Sequence, residues 1–272
     1  MGRIISKTNE YADSKLLLTR TGDVAHITIN NPTKLNAMNL CMWQALGDVG
    51  LSLAEDDSLR VVTIEGAGDK AFIVGADISE FGEARSNAAA NTAYGVAVSR
   101  AEHAMEDLPV PTLALIRGFC IGGGLGIAMR CDLRLARSDA HFAITPARLG
   151  LGYSCEGVAS LYKRLGHATA ADLLFSGRKV AADEAQAKGI CNFVYSLSTF
   201  DDDCDVYVKQ LAQNAPLTIR ATKATLRMLS QPEAKHDPSI VDAMVATCLD
   251  SYDYQEGQRA FAEKRTPVFT GR

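Results

Sequence analysis

The chain reads as an α/β fold, with an α/β body followed by a helical C-terminal region. Three observations predict it. Apolar runs of strand length alternate with segments of helical period up to about residue 200. Glycine-rich turns join strand to helix, and from Asp201 onward helical periodicity takes over.

The elements follow in order. Residues Met1 to Asp13 are polar and predict a ragged end. "HITIN" (26–30) alternates as a half-buried strand, and "NPTKLNAMN" (31–39) breaks it with Asn31 and Pro32. From Asn39 to Ala54, the residues Leu40, Trp43, Leu46 and Val49 fall on one helical face. "LRVVTIEG" (59–66) predicts a buried strand and "AGDKAFIVGADISEF" (67–81) a glycine-punctuated loop. Asn91 to Glu106 predicts an amphipathic helix, "PTLALIRGFCIGG" (111–123) one buried strand, and "CDLRLARSDAHFAI" (131–144) two short ones. Helical spacing then runs through Leu211–Leu229 and Ile240–Phe261, with Pro216, Pro232 and Pro238 as breaks. The expected division is a core over 1–200 and a helical region over 201–272 that packs on the core or on a neighbouring subunit.

Composition narrows the function. With 272 residues, 47 % hydrophobic and 22 % charged, the chain has the make-up of an ordinary globular protein. A net charge of −4 argues against nucleic-acid binding, which needs a basic stripe. No apolar run approaches the roughly 18 residues of a membrane span. The seven cysteines are scattered, odd in number and without a C-x-x-C pair, the pattern of reduced thiols in a cytoplasmic protein. The five histidines form no metal-like pair, so no metal is expected; no cofactor is expected either. The opening "MGRIIS" meets a myristoylation pattern short enough to arise by chance, and no polybasic anchor follows it.

The glycines carry the chemistry. In "FCIGGGLGIAMRCD" (119–132) three glycines stand between a strand-like and a helix-like run, with Gly126 one turn further on. A dinucleotide fingerprint fails because Ile127 stands where the third glycine belongs, and a phosphate-binding loop fails for want of Lys-Ser or Lys-Thr. On its own the run reads equally as a tight turn into a packed helix. A second glycine loop, "KAFIVGADI" (70–78), also follows a strand. Two such loops, each offering a backbone N–H, are what an oxyanion hole requires.

"NPTKLNAM", "KAFIVGADI", "GFCIGGGLGIAMRCDL", the Phe142-to-Gly150 stretch and "EGQRAFAEKRTPVF" together resemble, in order, the enoyl-CoA hydratase/isomerase family, the crotonases, over nearly the whole chain. The resemblance implies a spiral of β-β-α units, a C-terminal helical trimerisation region, and a homotrimer or dimer of trimers. It implies an acyl-CoA as substrate, with coenzyme A entering as part of it. The Ala76 and Gly123 amides would polarise the thioester carbonyl and stabilise an enolate, with Gly122 beside them. Lys34, Ala37, Ala76, Asp77, Ile78 and Ser79 would line the coenzyme A channel, and Phe261 and Lys264 would reach a neighbour's site. Read without the family, Lys34 is a loop-surface cation, Asp77 a loop or helix cap, and Lys264 a solvated helix charge.

The resemblance also exposes departures. The family's hydratases carry two catalytic glutamates, at positions that correspond here to Gly126 and Pro146. Neither residue can move a proton, so ordinary hydration is doubtful. A third acid position of the isomerases is Ser154, with Glu156 two residues later as a candidate or, alternatively, a first-turn helix acid. Phe142, Thr145, Pro146, Leu149, Gly150 and Tyr153 resemble the methylmalonyl-CoA decarboxylase branch, in which losing CO2 forms the enolate without a base. Tyr153 would orient the carboxylate there, although Ala76 and Gly126 replace a histidine and an acid of that branch. A non-catalytic acyl-CoA-binding protein is the rival from another class.

Overall fold

The strands Val61–Gly66 (β4) and Thr112–Ile116 (β6) are buried along nearly their whole length, and such strands need cover on both faces. A computed structural model, describing residues 7–77 and 88–272, provides it with helices and a second sheet. The opening myristoylation-like pattern, Ile78 and Ser79 lie outside the described residues.

The larger sheet has seven strands. Lys7–Tyr11 (β1), Leu16–Thr21 (β2) and Val24–Ile29 (β3) lead by antiparallel pairing into β4 and β6, followed by Leu133–Arg137 (β8) and Phe193–Tyr195 (β11). From β3 onward every pairing is parallel. The smaller sheet orders Val180–Ala181 (β10), His141–Ala143 (β9), Phe119–Ile121 (β7) and Ala71–Ile73 (β5).

One unit repeats along the chain. Its first strand enters the larger sheet, its second enters the smaller sheet, and a helix leads to the next turn. The units are β4–β5–α2 (Ala88–Glu106), β6–β7–α3 (Gly123–Arg130) and β8–β9–α4 (Cys155–Ser176). The first turn is abbreviated: after β3 a single bridge between Met38 and Ala76 stands for the second strand, and α1 (Leu40–Ala54) follows. Asn39 caps α1 by accepting the Met42 N–H at 2.9 Å. This is the expected α/β spiral. Trp43, Met38, Phe72, Ile64 and Leu125 fill its core.

Three expectations are corrected. Within the polar Met1–Asp13 segment, the described residues Lys7–Tyr11 form an edge strand, and its turn uses left-handed Ala12, Asp13 and Ser14. Its outward residues stay exposed, so it carries no hydrophobic signal. The run 111–123 is two strands in different sheets, β6 and β7, split at Gly118. The loop 67–81 contains β5.

After β10 come α5 (Ala182–Ala187) and β11, and then helices alone: α6 (Phe200–Gln213), α7 (Pro216–Leu229), α8 (Pro238–Leu249) and α9 (Tyr252–Glu263). Pro216 and Pro238 occupy first helical positions, where the missing N–H costs nothing. The expected boundary at 200 falls at the first residue of α6, whose Phe200, Cys204 and Val208 pack on Val61, Leu113 and Leu135 of the larger sheet. Lys223 of α7 is buried and tied to the body through Asp132 at 2.6 Å and the Val110 carbonyl at 2.7 Å. Among the described residues no helix is long and apolar enough to cross a membrane.

The seat of α3 is tight. A Cβ at Gly124 would lie 2.1 Å from the Ile73 carbonyl oxygen, whereas one at Gly95 in α2 would meet nothing within 4 Å. Gly124→Ala is therefore expected to destabilise the protein by about 3 kcal/mol, and Gly95→Ala to stabilise it by up to about 1 kcal/mol. Urea titration of both variants checks the contrast.

Candidate active site

The site begins in the loop after β3. Leu35 and Asn36 adopt left-handed backbone, and the buried Asn36 side chain holds them there. Its Oδ1 accepts the Asn31 N–H at 3.0 Å, and its Nδ2 donates to the Ala67 and Ala71 carbonyls at 3.0 and 2.8 Å. This fixes Ala37, itself buried, and Met38 beside the glycine loop that follows β5.

Met38 then orients that loop. Its N–H donates to the Gly75 carbonyl at 2.8 Å, and its carbonyl accepts the Asp77 N–H at 2.9 Å. The two bonds occupy one edge of the segment and leave the Ala76 N–H on the other. Gly75 has φ +97°, a conformation open to glycine. Opposite, Gly122 (φ +57°, ψ −120°) turns the chain from β7 into α3 and anchors its own N–H on the Ala143 carbonyl at 2.8 Å. Gly123 is the first residue of α3, and its N–H has no partner one turn earlier. Among the described residues, no acceptor bonds the Ala76 or the Gly123 N–H.

The two loops touch. A Cβ on Gly75 would lie 3.5 Å from the Gly123 nitrogen and 3.4 Å from the Ile121 carbonyl oxygen. A Cβ on Gly123 would lie 3.1 Å from the Trp43 ring, which backs the start of α3. Trp43 is in turn fixed by Nε1–H donation to the Tyr94 hydroxyl (2.8 Å), which donates to the Met38 carbonyl (3.2 Å). Two unpaired amides, one of them at the positive end of a helix, therefore share a small region. Such a region suits an oxygen acquiring negative charge.

One turn along α3 the space at Gly126 is occupied by a different residue. A Cβ there would meet Glu102 Oε1 of α2 at 2.7 Å and the Tyr153 hydroxyl at 3.9 Å. Glu102 is 9 % exposed. Arg130, at the end of α3, donates from Nε and Nη2 to Glu102 Oε2 at 3.0 and 2.9 Å, while no donor among the described residues reaches Oε1. Burial raises the Glu102 carboxyl above the usual range, the nearby Glu156 charge adds to that, and Arg130 opposes it. The Tyr153 hydroxyl is pushed well above its ordinary value by burial and then by the Glu102 charge, so it stays a neutral O–H.

The remaining sequence-derived residues separate. Lys34 and Asp77 meet in an ion pair at 2.7 Å, the lysine half exposed and the aspartate buried. Glu156 sits in the first turn of α4, where Oε1 accepts from Arg130 at 2.9 Å and faces His103 Nε2 at 3.2 Å, and Oε2 accepts from Ser99 at 3.0 Å. Ser154 caps α4 by accepting the Gly157 N–H at 3.1 Å, and Pro146 opens a single 3-10 turn. Phe261 is 88 % exposed near the end of α9, and Lys264 caps that helix in left-handed backbone. Among the described residues no hydrogen bond or ion pair links either of them to the glycine loops. No group of three His, Cys, Asp or Glu among the described residues suits a metal ion.

Sequence reasoning missed Glu102 and Arg130. A signal existed: Glu102 follows Val98 by four residues on the face of α2 that packs inward, and Arg130 ends an otherwise apolar short helix.

The chain is similar to known proteins of one family. A family model described as enoyl-CoA hydratase/isomerase matches residues 19–272. A carnitinyl-CoA dehydratase of Salmonella paratyphi A is 34 % identical over 269 residues, covering 94 % of this chain and 98 % of the relative. A short-chain-enoyl-CoA hydratase of Clostridium acetobutylicum is 30 % identical over 252 residues, covering 93 % and 96 %. Among solved structures, an enoyl-CoA hydratase/carnithine racemase from Magnetospirillum magneticum superposes with TM-score 0.88 at 35 % identity, over 98 % of this chain and 97 % of that one.

The Arg130–Glu102 pair should be sensitive to pH once broken. Arg130→Met leaves a buried carboxylate unpaired, for an expected loss of about 3–5 kcal/mol at neutral pH. A group whose folded pKa is raised stabilises the fold below its unfolded pKa and loses that contribution as pH rises through the folded value. The deficit should therefore shrink on acidification towards the carboxylate range. Urea midpoints of wild type and variant across acid and neutral pH measure it.

Proposed function

The chain belongs to the enoyl-CoA hydratase/isomerase family, and we propose that it acts on an acyl-CoA thioester through an enolate held by the Ala76 and Gly123 amides. The observation that carries this reading is the approach of the Gly75 loop to the Gly122–Gly123 turn, with no acceptor among the described residues for the Ala76 or Gly123 N–H. Removing a proton or a carboxyl group beside a thioester leaves an electron pair that spreads onto the carbonyl oxygen. Preorganised donors aimed at that oxygen stabilise the transition state more than the ground state.

Coenzyme A is part of the substrate, and no further cofactor is needed. Lys34, whose side chain is half exposed, and Ala37 border the loop that leads to Ala76 and are read as part of the channel wall, with Asp77 holding Lys34. Phe261 and Lys264 are assigned to a neighbouring subunit's site in a trimer or pair of trimers. Exposed Leu226, Leu229, Ile240 and Leu249 on the last helices support burial against another copy.

Two-carboxyl hydration by the usual pair is not the reaction assigned, because Gly126 and Pro146 stand at those positions. Glu156, with both oxygens engaged, is read as a support for Arg130. Decarboxylation of a methylmalonyl-type thioester is the second reading, favoured by the neutral Tyr153 hydroxyl beside Gly126.

Incorporation of solvent deuterium at C2 of butyryl-CoA reports enolate formation whatever the final product. Gly123→Pro, which deletes one N–H, should slow it by about 10²–10³-fold relative to Gly123→Ala. The alanine variant adds the same Cβ against Trp43 but keeps the amide. Equal rates in the two variants would remove Gly123 from the mechanism. Loss of CO2 from methylmalonyl-CoA without exchange would select decarboxylation. Binding of butyryl-CoA with neither reaction would select a non-catalytic binder.

A further inference from the structure

We propose that Glu102 is the proton-transferring residue of this site, entering from α2 through the space that Gly126 leaves open, and that it serves a one-carboxyl migration of the double bond in an enoyl thioester. This rests on the thioester reading above. The geometry that carries it is the placing of Glu102 Oε1 at 2.7 Å from where a Cβ of residue 126 would be. Gly126 lies three residues beyond Gly123, about 4.5 Å along the axis and on the same face of α3. A carbonyl oxygen at the Gly123 amide therefore brings the carbons next to the thioester towards this carboxylate.

The way Arg130 holds the carboxylate separates a working group from a mere counter-ion. A pair built only to neutralise the arginine would use both oxygens in a fork. Here Nε and Nη2 converge on Oε2 and Oε1 is left facing the gap. The rest of the guanidinium goes to Glu106 (Nη1 to Oε2, 2.6 Å) and Glu156 (Nη2 to Oε1, 2.9 Å). These contacts fix Arg130 from two further positions, and through it the direction of Oε1. Gly126 is then a requirement, since any larger residue would displace the carboxylate.

The step balances with one carboxyl and no co-reactant. Oε1 takes a proton from C2 of a 3-enoyl thioester. The C2–H electron pair forms the C2–C1 double bond of the dienolate, and the charge moves to the thioester oxygen at the two amides. The carboxylic acid returns the same proton to C4. The electron pair at oxygen restores the carbonyl, and the double bond comes to rest between C2 and C3. A carboxyl with a raised pKa suits both halves. The groups facing it are Arg130 from α3, Glu156 from α4, His103 and Glu106 on its own helix, and the Tyr153 hydroxyl. Tyr153, neutral, can hydrogen-bond the acyl group without competing for the proton.

The test uses the full chain with butyryl-CoA for binding and C2 deuterium exchange, and hex-3-enoyl-CoA for conversion to the conjugated thioester. Glu102→Gln should retain butyryl-CoA binding by calorimetry yet lose exchange and conversion by about 10²–10⁴-fold, with partial rescue in Glu102→Asp. In the wild type the exchange rate should fall as pH drops through the carboxyl's raised pKa, because the base must be ionised. That acid limb should vanish in Glu102→Gln. Should loss of the buried charge prevent folding, Gly126→Ala keeps the ion pair and displaces only Oε1, and it should lower exchange in a folded protein. Undiminished exchange in Glu102→Gln or in Gly126→Ala would overturn the role of Glu102 while leaving the thioester reading intact. A wild type that exchanges but never conjugates the 3-enoyl thioester would overturn the double-bond migration. A wild type that binds no butyryl-CoA would overturn both readings.

Discussion

Two backbone amides from distant parts of a chain can face one atom only if nothing stands between their loops. That constraint organises this protein. Gly75 and Gly122 both need left-handed backbone, Gly124 has no room for a side chain against the Ile73 carbonyl, and a Cβ at Gly123 would press on the Trp43 ring. The β-β-α repeat places the ends of β5 and β7 side by side, so that successive turns of the spiral deliver the two loops to the same place. Met38, bridging to Ala76, selects which edge of the second loop stays unbonded. The fold and the proposed oxyanion hole are thus one device.

Charge is arranged around that device in a second layer. Arg130 ends the helix that begins with Gly123, and its guanidinium gathers Glu102, Glu106 and Glu156 from two other helices. A buried cation with three carboxylates is a costly structure unless each partner is held. Its conformational consequence is specific: α2, α3 and α4 are locked together, and one carboxylate oxygen is turned towards Gly126. The helical region joins the same frame through Lys223 and Asp132, the latter only two residues beyond Arg130.

Much of this was legible in the residues. Buried strands, the Asn39 start of α1, and the two glycine loops follow from periodicity and turn chemistry, because each depends on neighbours in sequence. What escaped depends on neighbours in space. The β1 edge strand shows no hydrophobic pattern because it faces solvent. The split between β6 and β7 hides within one apolar run, since only the exchange of sheets at Gly118 reveals it. Glu102 escaped for the strongest reason: position 126 reads as a lost acid, and only the packing of α2 on α3 shows a carboxylate from elsewhere filling its place. Glu156, the acid nearest in sequence to the expected position, spends its oxygens on Arg130, His103 and Ser99.

The most direct measurement is a crystal structure of the protein with butyryl-CoA bound. The thioester oxygen should lie about 2.7–3.1 Å from both the Ala76 and the Gly123 nitrogens, with C2 on the Gly126 side. An ordered thioester whose oxygen approaches neither nitrogen would contradict the whole mechanism.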